Sequence, residues 1–216
     1  MKPFITNFLE PLSYLLYTFL TCYKYLSVKT FKIKVLFAYY LFATLLISYA
    51  SFLVTERNMD NNWIYNLFFF LTICVFSYYF HSILFGKTKK YLVKFLFIIN
   101  VGFFTYYDVL LKQFFETYNN HVFAFCFLSI VVYSLLYFYQ LIRNVSELNI
   151  LYEFDFWLIS GYVLYFLGCF FVILLYKNPN VELRRVMWAI QNIILFLSSC
   201  ITITGNLWIN YHRKHL

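Results

Sequence analysis

Charge is what this chain has least of. Only 12% of its 216 residues are Asp, Glu, Lys or Arg, about half the share in an ordinary soluble domain. Proline (3) and glycine (5) are also scarce, which leaves little room for long loops, linkers or a collagen repeat. The five cysteines (Cys22, Cys74, Cys126, Cys169, Cys200) form no C-x-x-C pair, so they frame neither a disulfide scaffold nor a metal site. There is no Gly-x-Ser-x-Gly, no Walker loop and no His-Glu-x-x-His, the motifs of several hydrolases and nucleotide enzymes.

What fills the chain is apolar: 63% of residues by type. A soluble domain of this size cannot hide that much apolar surface, because surface grows too fast relative to volume. Sequestering it takes lipid. Disorder and a soluble nucleic-acid binder are excluded. The 29 Phe and 22 Tyr share AT-rich codons with the plentiful Lys, Asn and Ile, so aromatic abundance is not read as a cofactor site.

A spanning helix needs roughly 20 mostly apolar residues. Seven stretches qualify, about 11–26, 35–54, 63–85, 92–112, 121–142, 156–176 and 187–208. They predict an all-α polytopic transmembrane bundle, a single integral membrane domain over 1–216. The first stretch is short and carries Ser13, Thr18, Thr21 and Cys22; if it does not span, six helices remain. It is not read as a signal peptide, because the n-region would contain Glu10 and Pro11 and no small-x-small cleavage site follows. The runs are about twice the length of a membrane β-strand and do not alternate, which excludes a barrel.

Basic residues set the orientation. One side collects 11 Lys and Arg and only Glu147, Glu153 and Asp155; the other has 6 basic and 6 acidic residues. The first side is expected to be cytoplasmic, with the N-terminus out and the C-terminus in, at the cell inner (plasma) membrane. The whole formal charge of +8 then sits on the cytoplasmic rim, facing anionic headgroups at about 1 kcal/mol per cation. Nucleic acid is not the expected partner.

Polar residues within spans mark helix contacts or cavities. The fourth span carries Asn100, Thr105, Asp108 and Lys112, with Asp108 the only acid inside a span; it either pairs with Lys112 at i,i+4 or forms the floor of an outward pocket. The seventh has Trp188, Gln191, Asn192, Ser198, Ser199, Thr202, Gly205 and Asn206 on one face, for packing or for lining a cavity. In the sixth, Gly161 and Gly168 share a face and permit close approach. Trp63, Trp157, Trp188 and Trp208 fall near span ends and read as interfacial anchors. Asn66, Asp108, His121, Gln191 and Asn192 all fall toward the outer ends of spans. If those helices are neighbours, these five residues build a polar, ligand-binding pocket reached from outside.

Catalytic chemistry is hard to assemble. His81 and His121 lie at opposite ends of their spans, about 30 Å apart, too far to share a metal. Asp108 and Asp155 are likewise on opposite sides. No catalytic residue, metal or cofactor is assigned. Phe156-Trp157, Ser160-Gly161-Tyr162, Tyr165, Gly168, Trp188, Asn192 and the earlier Asn62-Trp63 with Tyr65-Asn66 resemble uncharacterised seven-span bacterial membrane proteins associated with sensor histidine kinase systems. That resemblance implies a seven-helix bundle with its N-terminus outside, acting as a sensory or accessory membrane module. Three functions stay open: a receptor-like signalling module with a membrane-bound kinase partner, a membrane-embedded lipid-modifying enzyme using Asp108 or His121, and a small transporter or channel.

Overall fold

The computed structural model describes residues 8–57, 60–112, 114–115, 119–144, 150–175 and 181–215. Lys2, Glu116, Glu147 and Lys177, counted in the charge balance above, lie outside them. The described residues form seven α-helices: α1 (Leu9–Val28), α2 (Phe31–Arg57), α3 (Asn62–Ile83), α4 (Lys87–Phe104), α5 (Asn120–Asn144), α6 (Phe154–Leu175) and α7 (Val181–His215). A π-helical segment, Thr105–Leu110, prolongs α4, and a short 3-10 turn, Ile150–Tyr152, precedes α6.

Six of these helices, α2 to α7, are long and apolar enough to cross a membrane. The fold is an all-α transmembrane bundle. Helix α1 falls short on mean hydropathy, and burial explains why. Its Ser13, Thr18 and Thr21 turn inward, while Leu12, Leu15, Phe19 and Leu26 face out. The inward hydroxyls of all three donate to carbonyls one turn back: Ser13 to Leu9, Thr18 to Tyr14 and Thr21 to Tyr17. Polarity that lowers the average is thus spent internally.

Consecutive helices pack side by side, and α7 returns to pack on α1, closing the ring. Direct contact between α3 and α5 pushes α4 to the outside of their seam. The most apolar stretch of α4 is accordingly 17% buried, against 61% for α3 and for α5. One end of the bundle carries the start of α2 and the end of α3 with Lys32, Lys89 and Lys94, and is called the basic face below. The starts of α1, α3, α5 and α7 meet at the opposite face.

The interior is aromatic and polar, and the exterior apolar. Phe31, Leu45, Phe95, Ile98, Ile142 and Phe171 are each at least 59% exposed, whereas Ser134, Ser198, Ser199 and Thr202 are fully buried. This inversion suits a hydrocarbon solvent and would leave a very large sticky patch in water. Tyr17 and Tyr40 stack at 4.8 Å in the centre. Ser198 donates to the Gly161 carbonyl at 2.7 Å, so the 2.5 Å bond between Tyr17 and Ser198 has Tyr17 as donor. Tyr40 donates to Tyr162 at 2.7 Å. Thr72 gives its proton to the Phe68 carbonyl, so Tyr39 donates in the 2.8 Å bond to Thr72.

The expected close approach at the sixth span is present. Any side chain at Gly161 would overlap Thr202 and Ser198, and one at Gly168 would press on Ile194. Gly205 serves a different end from the polar stripe to which the sequence assigns it: the Trp157 indole occupies the place of a side chain there. Gly102, by contrast, faces open space. Gly161→Leu should therefore lower stability by roughly 1–3 kcal/mol through overpacking, while Gly102→Leu should leave it nearly unchanged. Thermal unfolding of the two variants in detergent measures the difference.

Candidate functional site: a polar cluster at the opposite face

Asn66 and Tyr65 are neighbours in the first turns of α3, and their side chains diverge. Asn66 is fully buried and donates through Nδ2 to the Phe114 carbonyl at 2.7 Å. Phe114 belongs to the connection between α4 and α5, and its own N–H donates to the Asp108 carbonyl at 3.2 Å. Asn66 thus ties α3 to the end of the π-helical segment.

Asp108 sits in that segment and is 1% exposed. In a continuous α-helix, eight residues beyond Asn100 would place it roughly 80° away around the axis. A π turn closes its bonds over i→i+5 and rotates each residue less, which swings Asp108 back toward the buried Asn100 side. Asn100 itself donates to Ser129 of α5 at 2.9 Å. Thr105 and Lys112, expected on the same stripe, are exposed. The i,i+4 ion pair between Asp108 and Lys112 does not form: the helical turn ends at Leu110 and Lys112 takes a left-handed φ of 54°. Asp108 Oδ1 instead accepts from Asn119 Nδ2 at 3.4 Å, and Oδ2 has no partner.

Tyr65 points the other way and donates to Glu10 at 3.3 Å. Glu10, in the first turn of α1, is 3% exposed. Trp188 of α7 packs edge-on against Tyr65, ring centres 5.2 Å apart. Gln191 and Asn192 are buried on α7. Two turns back from the Tyr17–Ser198 bond on each helix, Glu10 and Gln191 reach the same level. His121 is exposed at the start of α5 and lies outside both clusters.

The five residues singled out from the sequence therefore divide. Asn66 and Asp108 meet through the α4–α5 connection, Gln191 and Asn192 belong to the α1–α7 side, and His121 joins neither. Glu10, Asn119 and Asn120 were not among them. The signal for Glu10 was available, since an acid favours the first turn of a helix. So was that for Asn119 and Asn120, paired amides where a helix starts; the Asn119 carbonyl accepts the Phe123 N–H.

At the basic face a second node was missed. Lys32 donates to Asp155 Oδ2 at 2.7 Å and Tyr79 to Asp155 Oδ1 at 2.8 Å. This joins the starts of α2 and α6 to the end of α3, and it is the one ion pair among the described residues. Nearby, Gln140 of α5 accepts from the Phe85 N–H at 2.6 Å and donates to the Ile83 carbonyl at 3.3 Å, closing the end of α3. The tryptophans at helix ends also pack: Trp157 donates to the Leu151 carbonyl and Trp208 lies tilted against Tyr152, ring centres 5.1 Å apart.

Between the two faces, the cavity lined by Tyr14, Tyr17, Tyr40, Thr72, Tyr162 and Tyr165 leaves about 10 Å³ free to the centre of a water molecule. That is room for a single water. No protein family matches the chain, nor does any curated protein or solved structure.

The Lys32–Asp155 pair is part-exposed, at 30% and 17% of the two side chains. Its coupling energy should fall between about 0.5 and 3 kcal/mol, the usual span for contacting residues. Lys32→Met and Asp155→Asn, alone and combined, measure it as a double-mutant cycle on unfolding free energy. The double variant should lose less than the sum of the singles.

Proposed function

We propose that the chain is a receptor-like signalling module of the inner (plasma) membrane. It recognises a small ligand at the polar face, oriented outward, and hands the signal to a membrane-bound kinase at the basic face. One observation carries this reading: α3 touches a carboxyl node at each end. Tyr65 reaches Glu10 and Tyr79 reaches Asp155. The two tyrosines are 14 residues apart, about 21 Å along the helix and within roughly 40° of one azimuth. A rigid-body shift of α3 at one face would carry its contact at the other, the coupling that two-ended sensing requires.

Two further features support it. The central cavity has room for about one water, which lends no support to a transport path. The charge asymmetry of the chain favours the basic face as cytoplasmic, where a kinase would dock and anionic headgroups would gather.

Crosslinking of native membranes through the tagged chain should capture a histidine kinase whose autophosphorylation responds to the external medium. Tyr65→Phe and Tyr79→Phe should leave that complex intact and abolish the response. A kinase response unaltered by both substitutions, or crosslinked membranes without a kinase, overturns the reading.

A further inference from the structure

The polar cluster around Asp108 contains polar atoms that the described protein does not satisfy. Asp108 Oδ2 has no partner, and neither do Nδ2 and Oδ1 of Asn120. Both residues are 1% exposed. Fewer than about one in ten buried polar atoms lacks a partner in folded proteins; Asn120 adjoins Asn119, whose Nδ2 reaches Asp108 Oδ1, and unsatisfied buried atoms of this kind are where a water or ion binds. An isolated carboxylate out of water is costlier still. Among the described residues no lysine, arginine or histidine pairs with Asp108; Lys112 is exposed.

The atoms on offer define what would fit. Asp108 Oδ2 and Asn120 Oδ1 are free oxygens, and the Phe114 carbonyl, already receiving Asn66 Nδ2, keeps a second lone pair. The carbonyl end of α4 and its π-helical extension adds partial negative charge. All of these are hard oxygen donors. Among the described residues no three His, Cys, Asp or Glu side chains converge, so nothing here selects a soft or transition metal. One carboxylate balances one positive charge. A divalent ion would leave a net charge stranded in a low-dielectric site. Helix ends and unwound backbone carbonyls beside a carboxylate are the donors that take alkali ions in membranes.

We propose that Asp108, Asn120 and the Phe114 carbonyl form a binding site for a monovalent alkali cation, Na⁺ or K⁺. The site fastens the end of α4 to the start of α5 and, through Asn66, to α3. It lies at the face assigned above to ligand recognition and rests on that assignment only for its direction of access. Cation binding is measured on the purified chain alone, so its failure and that of the kinase reading register in separate experiments.

The test is the unfolding temperature of the full chain in detergent, titrated with NaCl, KCl, CaCl₂ and choline chloride at constant ionic strength. A ligand that binds only the folded state raises stability with its concentration. A saturable rise with Na⁺ or K⁺ over choline is expected, and the stronger of the two names the ion. Asp108→Asn should abolish it. Asn120→Ala should shift its midpoint to higher salt by about tenfold, the worth of one charge-assisted contact. Asp155→Asn, at the far face, should leave it unchanged. Equal temperatures in all four salts, a rise that survives Asp108→Asn, or a response to Ca²⁺ without one to Na⁺ or K⁺ each overturns the proposal. Should Asp108→Asn fail to fold, an unmoved midpoint in Asn120→Ala overturns it as well.

Discussion

A hydroxyl or amide placed in hydrocarbon has no water to bond, so each must find its partner within the protein or stand as a cost of several kcal/mol. In this bundle the serines and threonines return their protons to carbonyls of their own helix. Thr72, Ser129, Ser134 and Thr202 all bond four residues back. Thr72 has given its proton to its own helix and Ser198 has given its proton to the Gly161 carbonyl of α6, so both are left as acceptors toward the tyrosines that reach them. Tyrosines supply the missing donors: Tyr39 to Thr72 and Tyr17 to Ser198. Packing of Phe and Leu alone would tolerate one helix sliding past another. A phenol that must reach one particular hydroxyl does not, so these bonds fix the depth of α1, α2, α3 and α7 relative to one another.

The same accounting separates the two ends. At the basic face, Asp155 has a cation on one oxygen and a phenol on the other, so its charge is matched and the junction of α2, α3 and α6 is closed. At the opposite face, Glu10 has a phenol and Asp108 a long amide contact, and no described cation pairs with either. This arises in a protein of net charge +8. Positive charge is plentiful in the chain, yet among the described residues none of it forms an ion pair with these two carboxyls.

Helix number was legible because it follows from one-dimensional facts: run length, apolar content and the charges between runs. The close approach at Gly161 and Gly168 was legible for a similar reason, since a helical period of 3.6 puts both on one face. The sites were only partly legible, because they depend on azimuth and neighbour order. Asn66 and Asp108 are linked through the backbone of Phe114, whose carbonyl accepts from Asn66 and whose N–H donates to the Asp108 carbonyl, and no side-chain pattern reveals such atoms. The π-helical turn at Thr105–Leu110 breaks the period by which Asp108 would have faced Lys112. Glu10 and Asp155 each lie at the edge of an apolar run, where an acid is easily assigned to solvent. It is the closure of the ring that buries Glu10, and the approach of Lys32 and Tyr79 that engages Asp155.

Closure itself follows from α1. Among the described helices this one alone lacks a stretch apolar enough to cross a membrane. Its contacts with α2 and α7 turn that weakness into the joint of the bundle. Ser13, Tyr14, Tyr17, Thr18 and Thr21 are all buried, and Glu10 continues their stripe to the end of the helix. An α1 made of leucine would lose the hydrogen bond to Ser198 and the carboxyl that receives Tyr65. The ring could still close, but α3 would then meet a carboxyl at one face alone. The polarity that makes the first segment doubtful as a span is what lets α3 connect one face of the bundle to the other.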